Sequence, residues 1–326
     1  MPAKPFVLGN TGKWLGLTLS ICCPVAVAQQ YPTKPIRMVA PFPPGGGTDI
    51  LSRLLAVPLS QSFGQPIIVD NRPGAGGAVG AEITARAEPD GHTLILVSAS
   101  YCATAAYQKT AYDPVAGIQP IILLGTVGLL MTVHPSVPAG NVKELIAHAR
   151  ANPGRLNYAS VGIGSVGHLG AELFKQMAKV DLVHVPYKGG GPALNAVIAG
   201  ESQLTVVSAV PTLAHLRAGR LKPLGITTPK RSPLLPEVAA IAETVPGYEV
   251  THWYGIWGPK GLRTAIVDRW NREVAKVMAS EEMKRQMQGE GLELAAGPPE
   301  QLQEYIRKDV DKWRKVIKDG NIKREN

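Results

Sequence analysis

Four glycine-rich segments hold the residues of this chain best suited to chemistry. They are Pro41-Phe42-Pro43-Pro44-Gly45-Gly46-Gly47-Thr48-Asp49, Asn71-Arg72-Pro73-Gly74-Ala75-Gly76-Gly77, Ser160-Val161-Gly162-Ile163-Gly164-Ser165-Val166-Gly167-His168, and Pro186-Tyr187-Lys188-Gly189-Gly190-Gly191-Pro192. Each lies between an apolar run that reads as a strand and a segment that reads as a helix. A helix N-terminus carries N–H groups without intrahelical partners and a partial positive charge. Glycine lets a ligand approach the backbone closely. Such a junction binds an anion without a cationic side chain. Any one of these loops is equally well a tight turn. Four in one chain favour an anion site, with two loops from each half facing across a cleft at the carboxyl ends of the strands.

Other chemistries fit less well. Gly162, Gly164 and Gly167 spell G-x-G-x-x-G between a strand and a helix, the pattern of a dinucleotide fold. The acid expected on the ribose, Asp181, precedes its strand and so stands at the wrong end of the sheet. Ser165 lacks the nucleophile-elbow pattern, because Ile163 stands two residues before it. His168 binds a ligand oxygen or caps a turn, and Asp49 suits a helix cap better than catalysis. The seven histidines are scattered, and no metal-ligand spacing occurs. Neither a metal nor a cofactor is expected. Trp253, Tyr254 and Trp257 line a cleft or hinge, or pack in the core.

The elements that must position these loops follow from hydrophobic patterning. Apolar runs at 36–40, 67–69, 94–97, 156–159, 182–185, 204–207 and 224–226 read as buried strands. Helical segments fall at 49–59, 142–151, 168–179, 192–199 and 211–218. This alternation implies an α/β protein with parallel sheets covered on both faces. Two amphipathic helices close the chain. One carries Ile266, Trp270, Val274 and Val277 on a single face, and the other Ile306, Val310, Trp313 and Ile317. The Gly- and Pro-rich linker 289–299 separates them.

The 326 residues suit two domains at roughly 100–200 residues each. Crossovers are expected near 123–134 and 246–253. A basic start with Lys4 and Lys13, an apolar run at 14–27 and an Ala26-Val27-Ala28 cleavage site read as a secretory leader over residues 1–28. Its removal takes Cys22 and Cys23 and leaves Cys102 in an apolar, strand-like stretch. A lone cysteine forms no internal disulfide. It reads as a core residue, with a reactive thiol as the alternative. The net charge of +9 is dispersed. Near the C-terminus Arg307, Lys308, Asp309, Asp311, Lys312 and Arg314 alternate in sign, which describes a solvated helix face better than a nucleic-acid track. A mild positive field favours anionic ligands.

In this order the loops resemble the Bug family, the TctC-like periplasmic receptors of tripartite tricarboxylate transporters. The resemblance starts at Tyr31-Pro32-Thr33-Lys34-Pro35-Ile36-Arg37 and includes Asp70-Asn71-Arg72-Pro73 and Pro89-Asp90-Gly91-His92-Thr93-Leu94. It continues through Gly164-Ser165-Val166-Gly167-His168-Leu169, His184-Val185-Pro186-Tyr187-Lys188-Gly189, Arg231-Ser232-Pro233-Leu234-Leu235-Pro236 and Trp313. It covers essentially the whole chain beyond the leader. It implies a two-domain, type II periplasmic-binding-protein fold with a central sheet in each domain. The two domains would close like a Venus flytrap about two crossovers. Residues 29–128 and 249–326 would form one domain, and residues 129–248 the other.

The resemblance also implies a periplasmic, monomeric, non-catalytic receptor that hands a small carboxylate to membrane subunits and does not bind nucleic acid. The ligand would be held by Phe42, Gly46, Gly47 and Thr48, by Ala75, Gly76 and Ala78, and by Ser160, Ser165 and His168. Tyr187 and Gly189 would be their neighbours. Two positions depart from the family pattern. Ala196 stands where many relatives carry an acid, and Val206-Val207 where many carry Phe-Asp. Loss of that acid argues against a ligand with an ammonium group. A dicarboxylate, a hydroxy acid or an aromatic acid remains. Presentation of ligand to a membrane sensor kinase would use the same cleft, and an exported enzyme acting on a small acid is the third reading.

Overall fold

The computed structural model describes residues 1–5, 9, 31–320 and 322. The expected leader run at 14–27, its cleavage site and Cys22 and Cys23 lie outside the described residues. From Pro32 onward the chain forms one unit, built on a ten-stranded sheet.

Chain order in the first lobe is β1 (Ile36–Ala40), α1 (Gly47–Phe63), β2 (Ile67–Asn71), α2 (Ala78–Ala85), β3 (Thr93–Ser98) and α3 (Ser100–Tyr107). The long strand β4 (Ile118–Val133) then carries the chain into the second lobe. There follow α4 (Val142–Ala151), β5 (Asn157–Ser160), α5 (Val166–Ala178), β6 (Val183–Pro186), α6 (Gly190–Ile198), β7 (Leu204–Ser208), α7 (Ala209–Arg217) and β8 (Lys222–Ile226). The chain returns through β9 (Thr251–Pro259) and ends with α8 (Thr264–Met278), α9 (Glu281–Gly289), β10 (Glu293–Leu294) and α10 (Pro299–Asp319).

Strand order is β2-β1-β3-β9-β4-β7-β5-β6, with β8 and β10 also on β4. The β2-β1-β3 and β6-β5-β7 trios are parallel, as βαβ connections require. The centre is not parallel. Strand β4 runs antiparallel to β9, β7, β8 and β10, and β9 runs antiparallel to β3. Expected all-parallel sheets are therefore corrected to mixed ones. The departing strand β4 and the returning strand β9 have no helix between them in the sheet, so nothing forces them into a parallel crossover. Along β4 the partner changes from β9 at Gly128 to β7 at Leu129.

Cys102 sits in a helix, α3, and not in a strand as expected. Six of the eight α3 residues are buried, so the segment shows no polar face and mimics a strand's apolar run. The Cys102 thiol is fully buried, and burial pushes its pKa up, which suppresses the reactive thiolate. The two closing stripes pack inward. Ile266, Trp270 and Val274 on α8, and Ile306, Val310 and Trp313 on α10, are all buried. The linker 289–299 contains the short strand β10, and α9 precedes it. Among the described residues no helix is long and apolar enough to cross a membrane.

Candidate functional site

The first loop is held by Asp49. Its carboxylate accepts the Gly45 N–H at 3.0 Å, the Asn71 side-chain amide at 3.0 Å and the Arg53 guanidinium at 2.9 Å. Asn71 also donates to the Phe42 carbonyl at 2.9 Å, tying the loop to the end of β2. Burial pushes the Asp49 carboxyl up, but the bonds from Arg53, Gly45 and Asn71 outweigh it and hold its pKa below the ordinary carboxylate range. Both of its oxygens are engaged in tying the loop to α1 and β2, so Asp49 is a structural staple. Pro43 and Pro44 cannot continue a helix backwards, and α1 starts at Gly47, with Thr48 and Asp49 buried.

Gly47 is also set by packing. A Cβ there would collide with the hydroxyl and Cζ of Tyr254. That hydroxyl donates to Ser208 Oγ at 2.9 Å, so one side chain runs under the start of α1 and joins β9 to the end of β7.

The second loop is a run of left-handed residues: Ala75 (φ 46°), Gly76 (63°) and Gly77 (97°). Such a conformation is costly for alanine. It is held by Thr104 Oγ1 donating to the Gly76 carbonyl at 3.0 Å and by the Gln108 amide donating to the Ala75 carbonyl at 3.2 Å.

In the third loop Ser160 Oγ bonds His184 Nε2 at 2.7 Å and accepts the Gly162 N–H at 3.2 Å. His168 Nδ1 accepts the Gly164 N–H at 3.1 Å, and Ser165 Oγ caps α5 by accepting the His168 N–H at 3.3 Å. The His168 ring stacks on His184 at 4.1 Å and meets the Tyr107 edge at 5.7 Å. Of the two roles the sequence leaves open for His168, its ring nitrogen performs the turn-capping one. In the fourth loop Gly189 (φ 139°) lies so close to Pro43 that a Cβ would stand 2.6 Å from the proline Cδ. Loops one and four therefore touch across the lobes.

Two neighbouring cavities result. The inner one has a volume of about 40 Å³ and the outer one about 310 Å³. Phe42 and Val161 line both. Gly46, Gly47 and Thr48 line the inner cavity, and Ala75, Gly76 and Tyr187 the outer. Ala78, Ser160, Ser165, His168 and Gly189 line neither. Ser160, Ser165 and His168 shape the third loop instead.

The inner lining also includes residues that the sequence did not single out as site residues: Ser98 and Ser100 at a fifth strand-to-helix junction, and His252 and Ser208. His252 and Tyr254 alternate with the buried Trp253 along β9. The period of two that puts them on one face was the available signal. Burial lowers the His252 pKa to about 3 and raises that of Tyr254. Both are therefore neutral. Thr48 Oγ1 and His252 Nδ1 are buried with no hydrogen-bond partner in the protein. Buried polar atoms are nearly always satisfied, so an orphan hydroxyl beside a helix N-terminus on a cavity wall marks a place for a ligand oxygen or water. Among the described residues no group of three or more His, Cys, Asp or Glu could hold a metal ion.

Comparison with known proteins agrees with this architecture. Residues 51–322 match the model of the tripartite tricarboxylate transporter family receptor. A solved structure described as "R. palustris Rpa4515 with adipate" is 37% identical, covers 89% of this chain and 98% of its own, and superposes with a TM-score of 0.86. The periplasmic binding protein BugD is 31% identical over 90% of this chain and 100% of its own, with a TM-score of 0.86. MatC from Rhodopseudomonas palustris, solved with bound malate, is 30% identical over 88% of this chain and 100% of its own, at a TM-score of 0.84. With a family match over most of its length and close superposition on these relatives, this chain belongs to the TctC (Bug) family of tripartite tricarboxylate transporter receptors.

Proposed function

We propose that this chain is a periplasmic receptor, without catalytic activity of its own, that captures a small carboxylate lacking a positive group and delivers it to the membrane subunits of a tripartite transporter. The observation that carries this reading is the inner cavity at the start of α1, where the buried Thr48 hydroxyl has no partner. A carboxylate seated there would accept the Thr48 O–H and the first-turn N–H groups, in a field favourable to negative charge. Asp49 and His168, the side chains best suited to acid–base work, are spent on holding loops, which favours binding over turnover. The relatives solved with adipate and malate support a carboxylate as the ligand class. Ala75, Gly76 and Tyr187 would meet the ligand from the outer cavity. Ser160, Ser165 and His168 would act by fixing the third loop.

Thermal unfolding of residues 29–326 with a panel of carboxylates and amino acids tests the reading. The protein is first unfolded and refolded to strip carried ligand. A carboxylate at about 100 times its dissociation constant stabilises the native state by roughly 2.7 kcal/mol. No stabilisation by any carboxylate would defeat the proposal. Thr48→Val keeps the shape and removes the hydroxyl. It is expected to weaken binding about 10- to 100-fold, the worth of a hydrogen bond to a charged group, with little change in the melting temperature of the free protein.

A further inference from the structure

Both walls of the inner cavity bring backbone donors. The first lobe presents the start of α1 at Gly47 and Thr48, and the second presents Gly167 and Gly190 in the first turns of α5 and α6. First-turn N–H groups donate and do not accept, so they suit an ionised carboxylate, which only accepts. The lining contains no Lys, Arg, Asp or Glu. One lining group is of another kind. His252 stands on β9 with its ring edge-on to Tyr254 at 4.9 Å, and its Nδ1 is buried with no partner in the protein. Burial keeps this ring neutral, so one of its nitrogens carries a proton and the other a lone pair.

We infer that His252 is a specificity-determining residue of the inner site, which reads a hydroxyl on the ligand and so selects a small hydroxy acid over its deoxy analogue. This rests on the receptor reading above and narrows it. A carboxylate satisfies Nδ1 only in the tautomer that places the proton there. A hydroxyl satisfies it in either tautomer, because it both donates and accepts. The carboxylate has donors of its own at Thr48 and the helix N-termini, which leaves His252 for a second group. Thr48 and His252 line one cavity of about 40 Å³, room for a few water-sized groups. The hydroxyl therefore stands close to the carboxylate, as in a 2- or 3-hydroxy acid. A deoxy acid sets a C–H against Nδ1. It leaves the nitrogen unpaired, or expels a water that would pair with it, and loses affinity either way.

The test is titration calorimetry of refolded protein with matched pairs: lactate against propanoate, 3-hydroxybutanoate against butanoate, and malate against succinate. In at least one pair the hydroxy acid is expected to bind about 10-fold more tightly than its partner. His252→Phe keeps a ring beside Tyr254 and removes both nitrogens. It should bring that ratio close to one, chiefly by weakening the hydroxy acid, while the deoxy acid binds much as before. His252→Gln offers a donor and an acceptor again and should retain part of the preference, which a purely structural role for the ring would not produce. A hydroxy acid that binds no more tightly than its partner in all three pairs would overturn the inference and leave the receptor reading intact. So would a preference that survives unchanged in His252→Phe, or binding of none of these acids when another carboxylate in the panel above stabilises the protein. Stabilisation by no carboxylate at all would defeat both.

Discussion

At the residue scale the site depends on atoms that are absent. Gly47 is glycine because the Tyr254 hydroxyl occupies the place of its Cβ. Tyr254 cannot simply swing away, since it is 2% exposed and bonded to Ser208. Gly47→Ala must therefore displace the ring, break the link between β9 and β7, or shift the start of α1. Overpacking of this kind costs about 1–3 kcal/mol, and here it also moves the N–H groups proposed to hold the carboxylate. The expected result is a lower urea midpoint together with a loss of carboxylate binding. Normal stability and affinity would show that α1 tolerates the shift and that its N-terminus is not the anion site. Gly46→Ala is the control. Its Cβ would meet only the Pro43 carbonyl oxygen at 3.4 Å and the Phe42 Cβ at 3.7 Å, so a much smaller loss of stability is expected.

Among the elements, α10 is the one whose packing sets a pH dependence. It lies against α3 and β4, and its Asp309 accepts the Trp253 indole N–H from β9 at 2.6 Å. Burial pushes the Asp309 carboxyl up to about 6, against the opposing effects of the Trp253 bond and the nearby Lys312 ammonium; Glu249, paired with Lys312 at 3.8 Å, adds to the rise. The folded pKa exceeds the unfolded one, so between roughly pH 4 and 6 the native state holds more protons than the unfolded state. The stability due to this group therefore falls as pH rises through that window. Asp309→Asn keeps an acceptor for Trp253 and removes the titration. Relative to wild type it should gain stability as the pH is raised from about 4 to about 7. Urea unfolding across the window checks this, and parallel curves for the two proteins would rule it out.

Elements also differed in how far the sequence disclosed them. Ile36–Ala40 and Val142–Ala151 can be read to the residue, the first as a short run that is apolar except for Arg37 and the second from an amphipathic pattern behind its Asn141 cap. Helix α3 is obscured because Ser100–Tyr107 is buried nearly all round and has no periodicity to detect. With it went the β3–α3 junction, and so Ser98 and Ser100 on the cavity wall. Strand β9 is obscured because Trp253, Trp257, His252 and Tyr254 are buried on both faces of the sheet. The glycine loops were legible because left-handed and close-approach positions restrict residue type. Which loop side chains face the cavity and which turn inward depends on tertiary partners that no local pattern encodes, such as His184 for Ser160 and for the His168 ring.

For the whole molecule the central question is what holds the lobes together. They share β4, whose partner changes between Gly128 and Leu129, and a second connection just before Thr251. We propose that the lobes hinge at these two places, beside the boundaries 128/129 and 248/249 expected from the sequence. Away from them the lobes touch through side chains. Tyr254 bonds Ser208, Val166 N–H donates to Ser100 Oγ at 3.4 Å, Tyr107 packs on His168, and Gly189 meets Pro43. Several of these contacts border the cavities, whose walls come from both lobes. A ligand shifts a conformational equilibrium only by its difference in affinity between the states. A site whose walls come from both lobes is complete only when the lobes meet, so bound ligand favours closure. Small-angle scattering of refolded, ligand-free protein is expected to give a larger radius of gyration than the same protein saturated with the carboxylate that stabilises it most. Tyr254→Phe removes the hydroxyl that bonds Ser208 but leaves the ring in place. It should reduce affinity and leave more of the population open at a given ligand concentration, while changing the stability of the free protein little. Identical scattering with and without ligand would mean that the lobes are fixed as they stand, and that ligand enters through the outer cavity past Phe42 and Val161.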